Sequence, residues 1–195
     1  IGHRAQEREL ANIDRIRQKF GGEIIEDCSI PTLGKEELPS GYIPYRNLLF
    51  IAFASLYSPN VIISQVSEWC PDKSLPFYRK VEHLLNPLRS SKFQKVSMDK
   101  IRIYAPFSNW TKTKLIQAYA RRFPIEELTE YTWSCYNNGP IPCGKCTSCI
   151  SRWIAMVNNG IYEQTMVQPD LTDFTNRFSL SDFRIYNIPM YIRRL

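Results

Sequence analysis

The chain has 195 residues, of which 44% are hydrophobic and 23% charged, and its formal net charge is +6. This length suits one α/β domain with a full core, and no apolar run approaches the ~20 residues needed to span a bilayer. The basic residues are spread along the chain, which favours a solvated basic surface over a nucleic-acid interface. Residues 1–18 are charged and helix-like, unlike a signal peptide. We therefore expect a cytoplasmic protein that binds neither nucleic acid nor membrane.

The first predicted helix covers residues 5–20, where apolar residues recur at helical spacing. Gly21 and Gly22 should end it. A short strand is predicted at 23–27, and a polar loop rich in proline and glycine follows at 29–41. A loop of that length is more often functional than passive, and a lid is one interpretation.

A strongly apolar stretch at 47–57 predicts a helix that is buried on most sides. Arg46 and Asn47 fall at its amino end, where exposed backbone N–H groups and the helix dipole favour an anion. Arg46 can add a bidentate grip on a phosphate or a carboxylate. The alternative is an arginine that caps the helix or forms a local salt bridge.

The apolar run at 61–66 predicts a central strand of a parallel sheet, and 100–104 is predicted to be the next strand, with Ile101 and Ile103 facing inward. Ligand crevices in such sheets lie beyond the carboxyl ends of the strands, which places 67–72 near the site. Two roles are therefore predicted for Asp72. It contributes to the ligand site, or it caps the predicted helix at 75–85.

The next predicted helix runs from about Lys112 to Phe123, with Thr111 as its N-cap. A lysine in the first turn opposes the preference of the helix dipole, so Lys112 is expected to have a compensating role such as binding phosphate. A last helix is predicted at 149–157, closed by Gly160.

Four of the six cysteines follow the spacing C-x7-C-x2-C-x2-C, at Cys135, Cys143, Cys146 and Cys149. Such a set predicts a structural Zn²⁺ site, because four sulfur ligands close the tetrahedron and leave no position for water. Gly144 is placed to relax the backbone of the turn. Disulfides or ordinary buried thiols are the alternatives.

Three blocks of the sequence resemble the 7-cyano-7-deazaguanine synthases. The first is Thr-Trp-Ser-Cys-Tyr at 132–136, followed by Pro-Cys-Gly-x-Cys-x-x-Cys at 142–149 and by Arg152. The second is 37–50, which contains Ile-Pro-Tyr-Arg-Asn-Leu where the family typically has Val-Pro-Gly-Arg-Asn-Leu. The third and weaker block is 105–112. The blocks follow the family's order, and with their flanks the resemblance covers roughly residues 2–160.

The resemblance implies an α/β fold of the adenine-nucleotide α-hydrolase-like type, a parallel sheet with helices on both faces, plus a small zinc-binding knuckle. It implies an ATP-dependent ligase that joins 7-carboxy-7-deazaguanine and ammonia through an adenylate and then forms the 7-cyano product, with Mg²⁺ on the polyphosphate. The expected organisation is a nucleotide-binding domain without its first segment at 1–130, a zinc-binding region at 131–160 and an extension at 161–195. The extension is a candidate surface for a homodimer or a protein partner.

Site residues are carried over from the matching blocks. The resemblance implies that Arg46 and Lys112 are the cations around the departing pyrophosphate. The residues implied to bind the nucleotide are Arg46, Asn47, Asp72 and Lys112. The residues implied to hold the flat base are Asn47, Thr132, Trp133 and Tyr136.

Several features depart from the family's pattern. The Ser-Gly-Gly-x-Asp-Ser pyrophosphate loop occurs nowhere in the 195 residues. Tyr45 stands where the family has glycine, and Lys114 stands where it has a carboxylate. Three readings follow: a synthase without its first segment, a related ligase that activates a deazapurine carboxylate for another acceptor such as a protein amine, or a non-enzymatic binder of a deazapurine or a protein.

Overall fold

The computed structural model describes residues 6–23, 43–66, 71–91, 96–137 and 139–162. Nearly all of the predicted strand at 23–27, the loop at 29–41 and almost all of the extension at 161–195 lie outside these ranges. The chain divides into two compact units. We call Tyr45–Thr111 the middle unit, and Ile1–Pro44 with Lys112–Leu195 the terminal unit. The division at residues 130 and 160 stays a prediction, as does the partner surface in the extension.

The described residues form six α-helices and four strands. The helices are α1 (Gln6–Phe20), α2 (Arg46–Tyr57), α3 (Leu75–Leu85), α4 (Lys112–Ala120), α5 (Ile125–Tyr131) and α6 (Thr147–Val157). The strands are β1 (Asn60–Ile62), β2 (Ser90–Ser91), β3 (Val96–Ser97) and β4 (Arg102–Tyr104). Short 3₁₀ helices cover Pro71–Lys73 and Asn86–Arg89. Within the described ranges, no helix combines the length and the apolar character that crossing a membrane requires.

The middle unit is built around a parallel pair of strands. β1 pairs with β4 in the register Asn60–Arg102, Val61–Ile103 and Ile62–Tyr104, which confirms the predicted parallel arrangement. β1 ends at Ile62, before the end of the predicted strand at 61–66. The Ile63 N–H still donates to the Tyr104 carbonyl of β4 at 2.8 Å. β2 and β3 form a small antiparallel hairpin that the sequence analysis did not predict.

Helices α2 and α3 pack in the core of this unit. Its buried centre is Ile51, Tyr78 and Val81, and Leu48, Phe77 and Ile103 are among the partly buried residues around it. The prediction that α2 is buried on most sides is wrong, because only one side of the helix is fully buried. The buried residues Asn47, Ile51 and Ser55 recur every four positions and therefore form one stripe, while Phe50 is 55% exposed and Leu56 is 66% exposed.

The start of α3 tests the prediction that Asp72 caps this helix, and the predicted ligand role of Asp72 stays a prediction. Ser74 is the N-cap, since its hydroxyl accepts a hydrogen bond from the backbone N–H of Phe77 at 3.3 Å. Asp72 lies two residues earlier, in the 3₁₀ helix Pro71–Lys73. The reading of Asp72 as the cap of this helix is therefore wrong, because the nearer serine occupies the position that reaches the free N–H groups.

Where its residues are described, the terminal unit contains helices. α4 and α6 share a core of Ile116, Ala155 and Met156. α6 begins at Thr147, two residues before the predicted start, and the glycine at 160 follows it with φ 71°. α4 ends at Ala120, before the predicted Phe123, because residues 121–123 turn ahead of Pro124.

Helix α5 is an element that the sequence analysis did not predict. It contacts α1 through an ion pair, Lys19 Nζ to Glu127 Oε1 at 2.5 Å. Lys19 also lies over the ring of Tyr131, 4.8 Å from its centroid. The hydrogen bond with Glu127 raises the pKa of Lys19. α1 covers almost the predicted range and ends at Phe20, before Gly21 and Gly22, but its apolar residues Ile13, Ile16 and Phe20 remain 40–59% exposed.

Candidate metal centre and adjoining sites

The four cysteines of the zinc-like motif converge in the terminal unit. The sulfur atoms of Cys135, Cys143, Cys146 and Cys149 all lie within 4.8 Å of one another, and none of the four forms a disulfide. A tetrahedron with Zn–S bonds of about 2.3 Å has edges of about 3.8 Å, so the arrangement needs only small shifts to hold the ion. The set fits a closed, four-sulfur metal site.

The local chain conformation brings these thiols together. Gly144 has φ 69°, a left-handed conformation that a residue without Cβ adopts freely, and this turns the chain between Cys143 and Cys146. Cys146 is the N-cap of α6, where its sulfur accepts a hydrogen bond from the backbone N–H of Cys149 at 3.4 Å. The Cys135 sulfur accepts a hydrogen bond from the backbone N–H of Cys143 at 3.3 Å.

The protonation of the cluster is uneven. A hydrogen bond from the Cys149 thiol lowers the pKa of Cys146 to about 4, and the same contact raises the pKa of Cys149. Burial raises the pKa of Cys135. Because thiolates are the ligand form of cysteine, a metal that binds here would displace protons from Cys135 and Cys149.

A cavity of about 170 Å³ adjoins the cluster. Cys135 and Cys149 line it, together with Thr132 and Trp133 of the predicted base-binding set. Tyr136, the third member of that set in this unit, is not among its lining residues. The Trp133 indole N–H donates to the backbone carbonyl of Cys135 at 2.9 Å.

Arg152, on α6, also lines this cavity. It is only 7% exposed. Its Nη1 donates to the hydroxyl oxygen of Thr132 at 2.6 Å and approaches the Thr132 carbonyl at 3.5 Å. The sequence analysis noted Arg152 only as part of the motif and assigned it no role, although an arginine three residues after the last cysteine, on the same helix, was a usable signal.

A buried polar network lies at the carboxyl end of β1 in the middle unit. Asn47 is 5% exposed, and its Nδ2 donates to Asp72 Oδ2 at 2.8 Å. Its Oδ1 accepts from Gln65 Nε2 at 3.2 Å, and the Tyr78 hydroxyl bonds to Gln65 Oε1. Two predicted site residues are thus joined, and the sequence analysis missed the two others, Gln65 and Tyr78.

The two predicted cations each stand at the start of a helix. Arg46 is the first residue of α2 in the middle unit, and Lys112 is the first residue of α4 in the terminal unit. Both are partly buried. Their helix-start positions are confirmed, whereas their contacts with a nucleotide stay predictions, as does the N-cap role of Thr111.

Comparison with known proteins supports the same family for most of the chain. A family model described as queuosine biosynthesis protein QueC matches residues 5–160. A 7-cyano-7-deazaguanine synthase of Prochlorococcus marinus strain NATL2A is 34% identical over 143 residues, which is 67% of this chain and 60% of that protein. A protein of the same name from Methanosarcina mazei is 25% identical over 198 residues, covering 82% of this chain and 81% of the relative. The chain spans about 60% of the length of the Prochlorococcus relatives that it matches.

Proposed function

The chain belongs to the queuosine biosynthesis protein QueC family, and we propose that its protein converts 7-carboxy-7-deazaguanine and ammonia to 7-cyano-7-deazaguanine at the expense of ATP. The main support for this proposal is that the residues of the family's most specific sequence block, at 132–149, come together in the structure. The four cysteines meet, and Thr132 and Trp133 line a cavity beside them. The names of the relatives support the same activity.

The proposal includes the finer fold and the metal. Parallel pairing of β1 with β4 supports an adenine-nucleotide α-hydrolase-like sheet with helices on both faces. Cys135, Cys143, Cys146 and Cys149 would hold one Zn²⁺, which would stabilise the knuckle and leave no open coordination position for catalysis. A reducing, cytoplasmic location is also part of the proposal, since the site requires free thiols.

In the proposed reaction the substrate carboxylate attacks the α-phosphate of ATP and pyrophosphate leaves. Ammonia then displaces AMP to give an amide, and a second activation of the amide oxygen leads to loss of that oxygen and to the nitrile. Negative charge grows on the leaving polyphosphate at each activation, where Mg²⁺ and fixed cations stabilise it. We assign the cationic roles to Arg46 and Lys112, because both lie at helix amino ends.

Asp72 and Asn47 complete the proposed nucleotide site. Asn47 holds the Asp72 carboxylate by a 2.8 Å hydrogen bond, which leaves that carboxylate oriented at the carboxyl end of β1. Ligands of parallel α/β sheets bind at that end. The base would be held by Thr132 and Trp133, and Tyr136 and Asn47 remain predicted contacts of the base.

The test of the activity uses the protein expressed from its complete reading frame. Incubation with ATP, Mg²⁺, ammonium and 7-carboxy-7-deazaguanine should give the 7-cyano product by mass spectrometry, together with AMP and pyrophosphate. Arg46→Ala and Lys112→Ala should each slow this turnover by about 10-fold or more, as loss of a charge-assisted contact would, with little change in melting temperature. Pyrophosphate release without the nitrile would indicate a ligase for another acceptor, and no consumption of ATP would contradict the proposal.

The metal has its own test. Elemental analysis of purified protein should find one equivalent of zinc per chain, since a closed four-thiolate site retains its ion. Less than about half an equivalent after careful handling would contradict the metal assignment.

A further inference from the structure

The cavity beside the cysteine cluster is small. Its volume of about 170 Å³ is below the roughly 300–1,000 Å³ of sites for drug-sized ligands. It therefore suits one fused ring system with a short substituent, and it is too small for a whole nucleotide. All its lining residues belong to the terminal unit.

The cavity walls combine a ring, apolar side chains and hydroxyls. Trp133, Ile141 and Pro142 supply apolar surface, and Thr132 and Ser134 supply hydroxyls. The indole N–H of Trp133 is already bonded to the Cys135 carbonyl, so its contribution to a ligand is its ring. An aromatic face beside a few polar groups is the usual composition of a site for a planar heteroaromatic base.

Arg152 adds a positive charge to this wall. Arg152 is only 7% exposed. Its Nη1 donates a hydrogen bond to the Thr132 hydroxyl oxygen at 2.6 Å, which restricts the orientation of the guanidinium. A fixed guanidinium recognises the plane of a carboxylate through paired, charge-assisted hydrogen bonds. Exclusion of water strengthens that attraction relative to one at the surface.

We propose that Arg152 binds the carboxylate of the substrate and that the cavity holds its deazapurine ring. Arg152 is thus a specificity-determining residue, which binds the acid more tightly than the neutral amide that the proposed reaction forms from it. The inference rests on the proposed function, and it identifies Arg152 as the residue that recognises the substrate carboxylate at that site. Since Cys135 and Cys149 form part of the same wall, the metal centre shapes the cavity without contacting the ligand chemically.

A pair of ligands that differ only in charge tests this inference by titration calorimetry on the zinc-loaded chain. The first is 7-carboxy-7-deazaguanine and the second is its neutral 7-carboxamide, which has nearly the same shape. The acid should bind about 10-fold or more tightly than the amide, as expected for a desolvated charge-assisted contact. Arg152→Gln should abolish this preference while its affinity for the amide changes by less than about 3-fold.

Arg8→Gln is the matched control variant. The Arg8 guanidinium lies 5.3 Å from the centroid of the Trp133 ring, yet Arg8 is not among the residues that line the cavity. It is a second cation in the same neighbourhood, so its loss should leave the preference for the acid intact. Equal loss of preference in Arg8→Gln would show a diffuse charge effect and overturn the assignment to Arg152.

The comparison of the two ligands in the unchanged protein does not depend on whether Arg152→Gln folds. Equal affinities for acid and amide, or binding of neither, would overturn the inference. Zinc content and circular dichroism of each variant show whether the cavity wall has survived. A strong preference for the acid without formation of the nitrile would defeat the proposed function alone, whereas nitrile formation with an unchanged KM for the acid in Arg152→Gln would defeat this inference alone.

Discussion

Tyr45 is the residue whose backbone is most unusual in the described ranges. Its φ of 61° and ψ of 2° place it in the left-handed region, directly before α2. The resembling family typically has glycine at this position, and glycine adopts this conformation without a Cβ clash. Tyr45 is 72% exposed, so little burial offsets the strain. A local backbone requirement therefore explains the family's glycine.

Replacing Tyr45 by glycine should stabilise the protein. Relief of the left-handed strain contributes roughly 1–2 kcal/mol, and the greater freedom of glycine in the unfolded chain offsets roughly 0.5–1 kcal/mol of it. We expect a net rise of about 0.5–1 kcal/mol in the free energy of unfolding, measured with urea. Tyr45→Ala keeps the Cβ and should show no such rise, and an equal effect of the two substitutions would refute the explanation.

Asn47 is a buried polar residue whose side-chain amide is held by two hydrogen bonds. Its amide bonds to Asp72 on one side and to Gln65 on the other, at 2.8 and 3.2 Å. Because the amide is buried, these bonds replace its contacts with water. Asn47 therefore orients Asp72 whether or not it also contacts a ligand.

Asn47→Ala should lower the free energy of unfolding by roughly 1–3 kcal/mol, because it removes partners from two polar groups that are partly buried. Urea unfolding measures the loss. Asn60→Ala, at the exposed start of β1, is the same chemical change at the surface and should stay within about 0.5 kcal/mol of the unchanged protein. If the two variants have the same stability, the network does not stabilise the fold.

Helix α6 and the turn before it form the element that assembles the candidate metal centre. The turn ends in Cys146, which caps the helix, and one turn later Cys149 points into the cluster with no exposed surface. Arg152 follows on the same helix and ties it to Thr132. The helix and its N-cap thus supply two candidate metal ligands and the proposed carboxylate contact from seven consecutive residues, 146–152.

Gly144→Ala should weaken zinc binding without changing a ligand. Alanine at φ 69° costs roughly 1–2 kcal/mol, which corresponds to about a 5–30-fold loss of zinc affinity if the metal-bound turn requires this backbone. Competition with a chelator of known affinity measures the change.

Gly139→Ala is the control for this substitution. Position 139 lies outside the left-handed region, and an added Cβ would be 3.5 Å from the Ile141 carbonyl oxygen, which is ordinary contact. An unchanged zinc affinity in Gly144→Ala would mean that the turn does not need its left-handed residue.

At the scale of the whole molecule, the chain comprises two compact units with different contents. The terminal unit contains the cysteine cluster and its cavity, and the middle unit contains the parallel strands and the network of Asn47. Each unit has its own buried cluster, at Ile51 in one and at Met156 in the other. Loss of the metal should therefore affect the two units unequally.

Removing zinc with a chelator should increase amide hydrogen exchange in the terminal unit first. Metal-binding free energy is folding free energy for the site that it closes, so α6 and residues 132–146 should lose protection, followed by α4, which packs on α6. Peptides from α3 and β4 should change little. Restoring zinc is the control. An equal increase of hydrogen exchange in α3 would contradict the expectation that the effect of zinc removal is strongest in the terminal unit.

The sequence alone determined the features that depend on short-range chemistry. The four-cysteine set at 135–149, the candidate metal site, is recognisable from the spacing and the type of its residues. The starts of α2 and α4 were predicted within one residue, α2 from an apolar run and α4 from the expected N-cap at Thr111. The parallel character predicted for the strand at 61–66 agrees with the pairing of β1 and β4, although the sequence did not identify β4 as its partner.

Only the tertiary structure decided which distant polar groups meet and which apolar faces are covered. Asn47 meets Asp72 across 25 residues, and Arg152 meets Thr132 across 20. No periodicity encodes such pairs, since they depend on how packed elements bring side chains within hydrogen-bonding distance. For the same reason the apolar composition of α2 could not reveal that its buried residues form a single stripe. An apolar side chain favours burial, but whether it is buried depends on which other elements pack against it.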